Sequence, residues 1–187
     1  GMCVADVNGD GLDDIFIGGA MEQSGAIYTQ KKDGGFEKSG YVKDNLKCED
    51  AGALFFDADG DGDNDLIVTS GGNEHKAGDS AYCVRLYKND GKGNFTHDKS
   101  ATPDNNFSGS GIVGADYDKD GDMDLFIAGR QVPGKYLLST SSYIYRNDNG
   151  KFTNVSNEIA PALKDIGMVT SGVWSDFNND GSLDLVI

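Results

Sequence analysis

The chain writes one pattern four times. "VADVNGDGLDDIFIGG" (4–19), "LFFDADGDGDNDLIVTSGG" (54–72), "VGADYDKDGDMDLFIAG" (113–129) and "VWSDFNNDGSLDLVI" (173–187) share the same acidic loop between two apolar runs. The leading aspartates are Asp6, Asp57, Asp116 and Asp176, so the steps are 51, 59 and 60 residues. A unit of this period cannot bury its apolar face alone and has to stack on its neighbours, which confines the fold to repeat architectures. The apolar runs are short, rich in Val, Ile, Leu and Phe, and bounded by glycine, which predicts strands rather than helices. Between the acidic loops, "AIYTQKKDGGFEKSG" (26–40), "RLYKNDGKGNFTHDKS" (85–100) and "YIYRNDNGKFTNVS" (143–156) each read as a strand, an Asp/Asn/Gly turn and a second strand. Asn and Gly tolerate the positive φ that such hairpin turns need.

Each repeat is therefore four antiparallel strands, which is one blade of a β-propeller. The fold class is all-β. The boundaries fall at 1–48, 49–107 and 108–166 for three complete blades, with the first two strands of a fourth in 167–187. A propeller ring closes with at least about four blades. The chain thus reads as a segment of a larger propeller, in preference to a half-ring that a second copy completes.

Numbered from its first aspartate, the first loop places Asp6, Asn8, Asp10, Leu12 and Asp14 at positions 1, 3, 5, 7 and 9. The second places Asp57, Asp59, Asp61, Asp63 and Asp65 there, and the third Asp116, Asp118, Asp120, Asp122 and Asp124. The fourth has Asp176, Asn178, Asp180, Ser182 and Asp184. Position 6 is glycine throughout (Gly11, Gly62, Gly121, Gly181), as a sharp turn requires. Oxygen ligands on a tightly turning backbone suit calcium, a hard cation taking six to eight of them, better than magnesium. Zinc and copper would recruit His or Cys, and neither occurs in the loops. Position 7 varies in side chain, so its backbone carbonyl is the expected ligand. An EF-hand loop begins the same way but closes with Glu at position 12. Here position 12 is Ile17, Val68, Ile127 and Ile187, and position 9 is the closing acid. The expectation is up to four calcium ions, one per loop, that stabilise the fold.

These odd positions hold 16 of the 31 acidic residues in a chain of net charge −15. Such a surface repels phosphate backbones and anionic lipid, so neither nucleic-acid binding nor direct membrane insertion is expected. The three cysteines, Cys3, Cys48 and Cys83, match neither a disulfide framework nor a zinc spacing and read as small buried hydrophobes.

The acidic loops and their flanks resemble the FG-GAP or VCBS repeats of integrin α propellers and bacterial surface proteins. Residues 70–103, 124–156 and 167–187 are similar to the ASPIC/UnbV-associated, cartilage acidic protein-like branch. That resemblance implies a secreted or surface-anchored protein, outer-membrane-associated or periplasmic in a bacterium, with calcium as the ion. The long segments "SGGNEHKAGDSAYC" (70–83) and "GRQVPGKYLLSTSS" (129–142) occupy the same place in successive blades. They offer Asn73, Glu74, His75, Arg130 and Tyr136 as contacts for a protein or carbohydrate ligand. Trp174 reads as core. The two histidines, His75 and His97, form no catalytic arrangement that the sequence can tie together, so the chain is read as a binding module and not an enzyme. The alternative, a propeller of a calcium-dependent polysaccharide lyase or hydrolase, rests on fold analogy.

Overall fold

The computed structural model describes residues 1–42, 47, 49–102 and 106–187; Cys48 lies outside them. The strands are β1 (Met2–Ala5), β2 (Asp14–Ile17), β3 (Gly25–Gln30) and β4 (Phe36–Val42), then β5 (Glu49–Phe56), β6 (Asp65–Gly71), β7 (Val84–Asn89) and β8 (Phe95–Asp98). They continue with β9 (Ser108–Ala115), β10 (Asp124–Gln131), β11 (Tyr143–Asp148) and β12 (Lys151–Asn154), and end with β13 (Val173–Ser175) and β14 (Asp184–Val186). One α-helical turn, α1 (Ser156–Ile159), and a 3-10 turn (Pro161–Leu163) precede β13.

Three antiparallel sheets run in chain order, β1-β2-β3-β4, β5-β6-β7-β8 and β9-β10-β11-β12, followed by the pair β13-β14. These are propeller blades, three complete and one with two strands. Their first strands lie side by side: β1 packs on β5, β5 on β9, and β9 on β13. That approach is close enough to exclude side chains at one point. A Cβ on Gly52 of β5 would stand 2.2 Å from the Ser110 carbonyl of β9.

The second strands explain the uninterrupted apolar runs. In β6, Leu66 and Val68 enter the cluster shared with the first blade, while Ile67 enters the one shared with the third. In β10, Leu125 and Ile127 face the second blade and Phe126 and Ala128 face the fourth. All seven are fully buried. A strand covered on both faces reads as continuous hydrophobicity, not alternation. Burying each of the larger side chains contributes about 1.5–3 kcal/mol, so the inter-blade layers form the core. Trp174 joins the third layer, stacked on Tyr117 at 5.9 Å and 11°.

Because neighbouring strands alternate in direction, the acidic β1–β2 type loops and the β3–β4 type hairpin turns share one end of every blade. The β2–β3 type connections and the links between blades share the other. The hairpin of the third blade has Asn149 at φ 52° and Gly150 at φ 83° between the paired Asp148 and Lys151, the two-residue turn that Asn-Gly favours.

Candidate metal centres

The four acidic loops adopt one conformation, held by their own side chains. The position-1 carboxylate accepts the position-6 N–H in every copy: Gly11 to Asp6 at 2.8 Å, Gly62 to Asp57 at 2.9 Å, Gly121 to Asp116 at 3.1 Å and Gly181 to Asp176 at 2.9 Å. The position-6 glycines have φ between 83° and 100°, which is why no other residue type recurs there. The position-5 carboxylate accepts the position-7 N–H in all four loops, at 2.8–3.0 Å. Burial pushes the Asp6 carboxyl up, but the N–H groups of Gly11, Gly9, Asn8 and Asp10 outweigh it and hold the group below the usual range.

This winding brings positions 1, 3 and 5 together. One carboxylate oxygen each from Asp57, Asp59 and Asp61 lie within 4.8 Å of one another, and Asp116, Asp118 and Asp120 converge equally. Oxygens on opposite sides of a calcium ion stand roughly 4.6–5.2 Å apart, so both triads fit an ion of that kind. The first and fourth loops carry Asn8 and Asn178 at position 3; each accepts the position-5 N–H, at 3.0 and 2.9 Å. Asp118 is pushed up by burial and by the neighbouring Asp120, the electrostatic cost that a cation would relieve. In the second loop a side chain already contributes: Lys88 Nζ donates to Asp59 Oδ2 at 2.8 Å. Arg146 holds the corresponding place in the third blade and draws the Asp118 carboxyl downward.

Position 9 stands apart from these triads. Asp14, Asp65 and Asp124 are buried, at most 1% exposed. Each accepts two backbone N–H groups, one from loop position 2 and one from the third strand of its blade. Asp14 bonds Val7 at 3.2 Å and Gln30 at 2.8 Å; Asp65 bonds Ala58 at 3.1 Å and Asn89 at 2.8 Å; Asp124 bonds Tyr117 at 3.2 Å and Asn147 at 2.9 Å. Asp184 repeats the first contact, from Phe177 at 3.0 Å. Burial pushes the Asp65 and Asp124 carboxyls to about 6 despite these donors. The closing acid therefore ties its loop to the sheet behind it. At position 7, the Asp122 side chain turns to the hairpin, accepting the Asn149 N–H at 2.9 Å.

Two residues that the sequence reading passed over complete the arrangement. Asn89 Nδ2 donates to the Val7 carbonyl of the preceding blade at 2.8 Å and to Asn64 O at 3.1 Å. Asn147 Nδ2 donates to the Ala58 carbonyl of its preceding blade at 2.9 Å. Their Oδ1 atoms accept hairpin N–H groups, from Gly93 at 3.1 Å and Gly150 at 2.8 Å. Position 2 of the first and second loops is thus held twice, its N–H by the acid of its own blade and its carbonyl by the asparagine of the next. The signal in the sequence was the recurring "ND" after the aromatic strand.

A model of the FG-GAP-like repeat matches residues 6–68, 57–127 and 136–187. The chain belongs to the FG-GAP-like repeat family. The first two matched FG-GAP-like units each begin at a leading aspartate and end in the strand after the following loop. No curated protein matches the chain.

At the other end of these FG-GAP-like blades, the two long β2–β3 type connections meet. Gly134 N–H donates to Asn73 Oδ1 at 2.7 Å, and Gln131 Nε2 to the Gly72 carbonyl at 3.0 Å. Between them lies a groove of about 460 Å³ lined by Glu74, His75, Lys76, Pro133, Gly134 and Lys135. Three expected contacts, Asn73, Glu74 and His75, come together here, although the Asn73 amide oxygen is engaged by Gly134 and His75 Nε2 by the Lys47 carbonyl at 2.6 Å. Arg130 is exposed on β10 and does not line the groove. Tyr136 stands at the exposed tip of the third-blade connection, 76% accessible.

Proposed function

We propose that this FG-GAP-like chain is a calcium-stabilised propeller module of a secreted or cell-surface protein, and that it binds a protein or carbohydrate partner at the end opposite its acidic loops. The observation that carries the reading is the convergence of three carboxylates in each of two loops whose backbone is already wound. An all-oxygen donor set of that charge suits calcium and offers magnesium a poorer shell. An ion there would offset the repulsion among the loop carboxylates. The chain's own residues fix its position: the closing acid from behind and, at the second loop, Asn147 of the next blade from the side. Further blades, from the same protein or a second copy, would cover the apolar side chains exposed on the outer sheets, such as Met2, Val4 and Ile17 on the first and Val173 and Val186 on the last. The likeness of residues 70–103, 124–156 and 167–187 to ASPIC/UnbV-associated proteins supports an extracellular or cell-surface location, and no helix among the described residues is long and apolar enough to cross a membrane.

The test is thermal unfolding in excess chelator, in millimolar calcium and in millimolar magnesium. Calcium should raise the midpoint markedly and magnesium much less, because an ion that binds only the folded state stabilises it by mass action. Identical midpoints in all three would remove the calcium reading.

A further inference from the structure

One place beside the acidic loop is filled differently in each complete blade. It is the third-strand residue that precedes the N–H donor to the closing acid: Thr29 before Gln30, Lys88 before Asn89 and Arg146 before Asn147. In the first blade the residue is neutral, and the Thr29 hydroxyl donates to the Glu37 carbonyl at 3.4 Å. In the third, Arg146 Nη2 donates to Asp148 Oδ2 at 3.3 Å and acts on Asp118 through space. The second blade joins the cation to the loop directly, with Lys88 Nζ donating to Asp59 Oδ2 at 2.8 Å.

Asp59 belongs to the triad in which it converges with Asp57 and Asp61. Its two oxygens are divided. Oδ2 takes the Lys88 ammonium, while Oδ1 is buried and has no hydrogen-bond partner. One oxygen is thus engaged by the chain and the other is left to a cation, since a buried acceptor without a partner is costly. The Lys88 and Asp59 side chains are 37% and 22% exposed, so salt screens this pair less than one on the open surface. Asp98 Oδ2 lies 3.9 Å from the same nitrogen, which places the ammonium between two carboxylates.

We infer that Lys88 is a tethered counter-charge of the second loop: it steadies the loop without metal and lowers its affinity for calcium. This role rests on the calcium reading of the loops. A fixed positive charge at hydrogen-bond distance from one of three convergent acids repels an arriving dication and cancels part of the charge that attracts it. The same charge relieves the repulsion among Asp57, Asp59 and Asp61 when no ion is bound. The second loop therefore binds calcium more weakly than its acids would without the lysine.

Amide NMR of the chelator-stripped chain during a calcium titration tests it, because the position-6 glycines report the loops separately, Gly62 the second and Gly121 the third. Lys88→Met keeps the stem and removes the charge. It should lower the calcium midpoint at Gly62 by about fivefold or more and move that at Gly121 by less than about twofold. Lys88→Arg should stay within about threefold of wild type at Gly62. Lys92→Met removes the same charge from the exposed hairpin of the same blade and should move Gly62 by less than about twofold. In excess chelator Lys88→Met should melt about 2–4 °C below wild type, and calcium should narrow the gap. A Gly62 midpoint unchanged or raised in Lys88→Met, while calcium still shifts Gly62 and Gly121, would overturn this role alone. An equal fall at Gly62 from Lys92→Met would also overturn it, by reducing the effect to net charge. No response to calcium at either glycine would overturn it together with the calcium reading. Lys88→Gln makes the same comparison if Lys88→Met fails to fold.

Discussion

Replacing Asn147 by alanine should cost more than its two hydrogen bonds suggest, because both partners are buried with it. Asn147 is completely inaccessible. Its loss leaves the Ala58 carbonyl of the second blade and the Gly150 N–H of its own hairpin without the contacts at 2.9 and 2.8 Å. An unpaired buried group costs about 1–3 kcal/mol, so the pair predicts a loss of about 2–6 kcal/mol. Against a total stability of about 5–15 kcal/mol that is a large fraction. For a chain of this size it corresponds to a fall of about 4–24 °C in melting temperature. Urea unfolding of wild type and Asn147→Ala supplies the number. Asn94→Ala provides the control, since Asn94 makes its side-chain bond to Asp90 at the surface and should change stability by less than about 0.5 kcal/mol. Hydrogen exchange supplies the location, with the extra exchange appearing at Ala58 and Gly60 in the preceding blade. A loss below about 0.5 kcal/mol, or one with no change in the second-blade loop, would refute the idea that asparagines fasten each loop to the next blade.

Three further outcomes follow from other contacts. Asp50→Asn should destabilise by about 3–5 kcal/mol in urea unfolding, because it strands the Arg85 guanidinium opposite a neutral amide; the pair is 3% and 6% exposed. Gly52→Val should give little folded protein by circular dichroism, since the added atoms must displace the Ser110 backbone of the adjacent blade. The Cys3 thiol, pushed up to about 12 by burial, should react with iodoacetamide at pH 8 roughly a thousandfold more slowly than an ordinary thiol and accelerate on unfolding, as mass mapping of the labelled peptide would show.

The repeat spacing made most of the architecture legible. Four leading aspartates and their β-prone flanks led directly to the sheets, and the continuous apolar runs in β6 and β10 mark strands covered on both faces. The loop winding was legible too, since glycine at position 6 has a single conformational reason. The division of labour within each loop was not. Asp14, Asp65 and Asp124 look like any other acid in the string, and only the fold shows their oxygens turned to Val7, Ala58 and Tyr117 on one side and the third strand on the other. The asparagines escaped notice for a related reason: "ND" before a glycine-containing turn is sufficiently explained by turn chemistry. Gln30 stands where Asn89 and Asn147 stand in the later blades, so the repeat is imperfect at that position.

Calcium bound in the acidic loops is what we propose holds the blades in shape. Calorimetric titration of chelator-stripped chain with calcium, beside Asp57→Ala and Asp116→Ala, tests it most directly. Calcium should bind saturably with up to four ions, each variant should lose about one ion, and equimolar magnesium should displace none. Absence of saturable binding at millimolar calcium, or full binding retained in both variants, would contradict it.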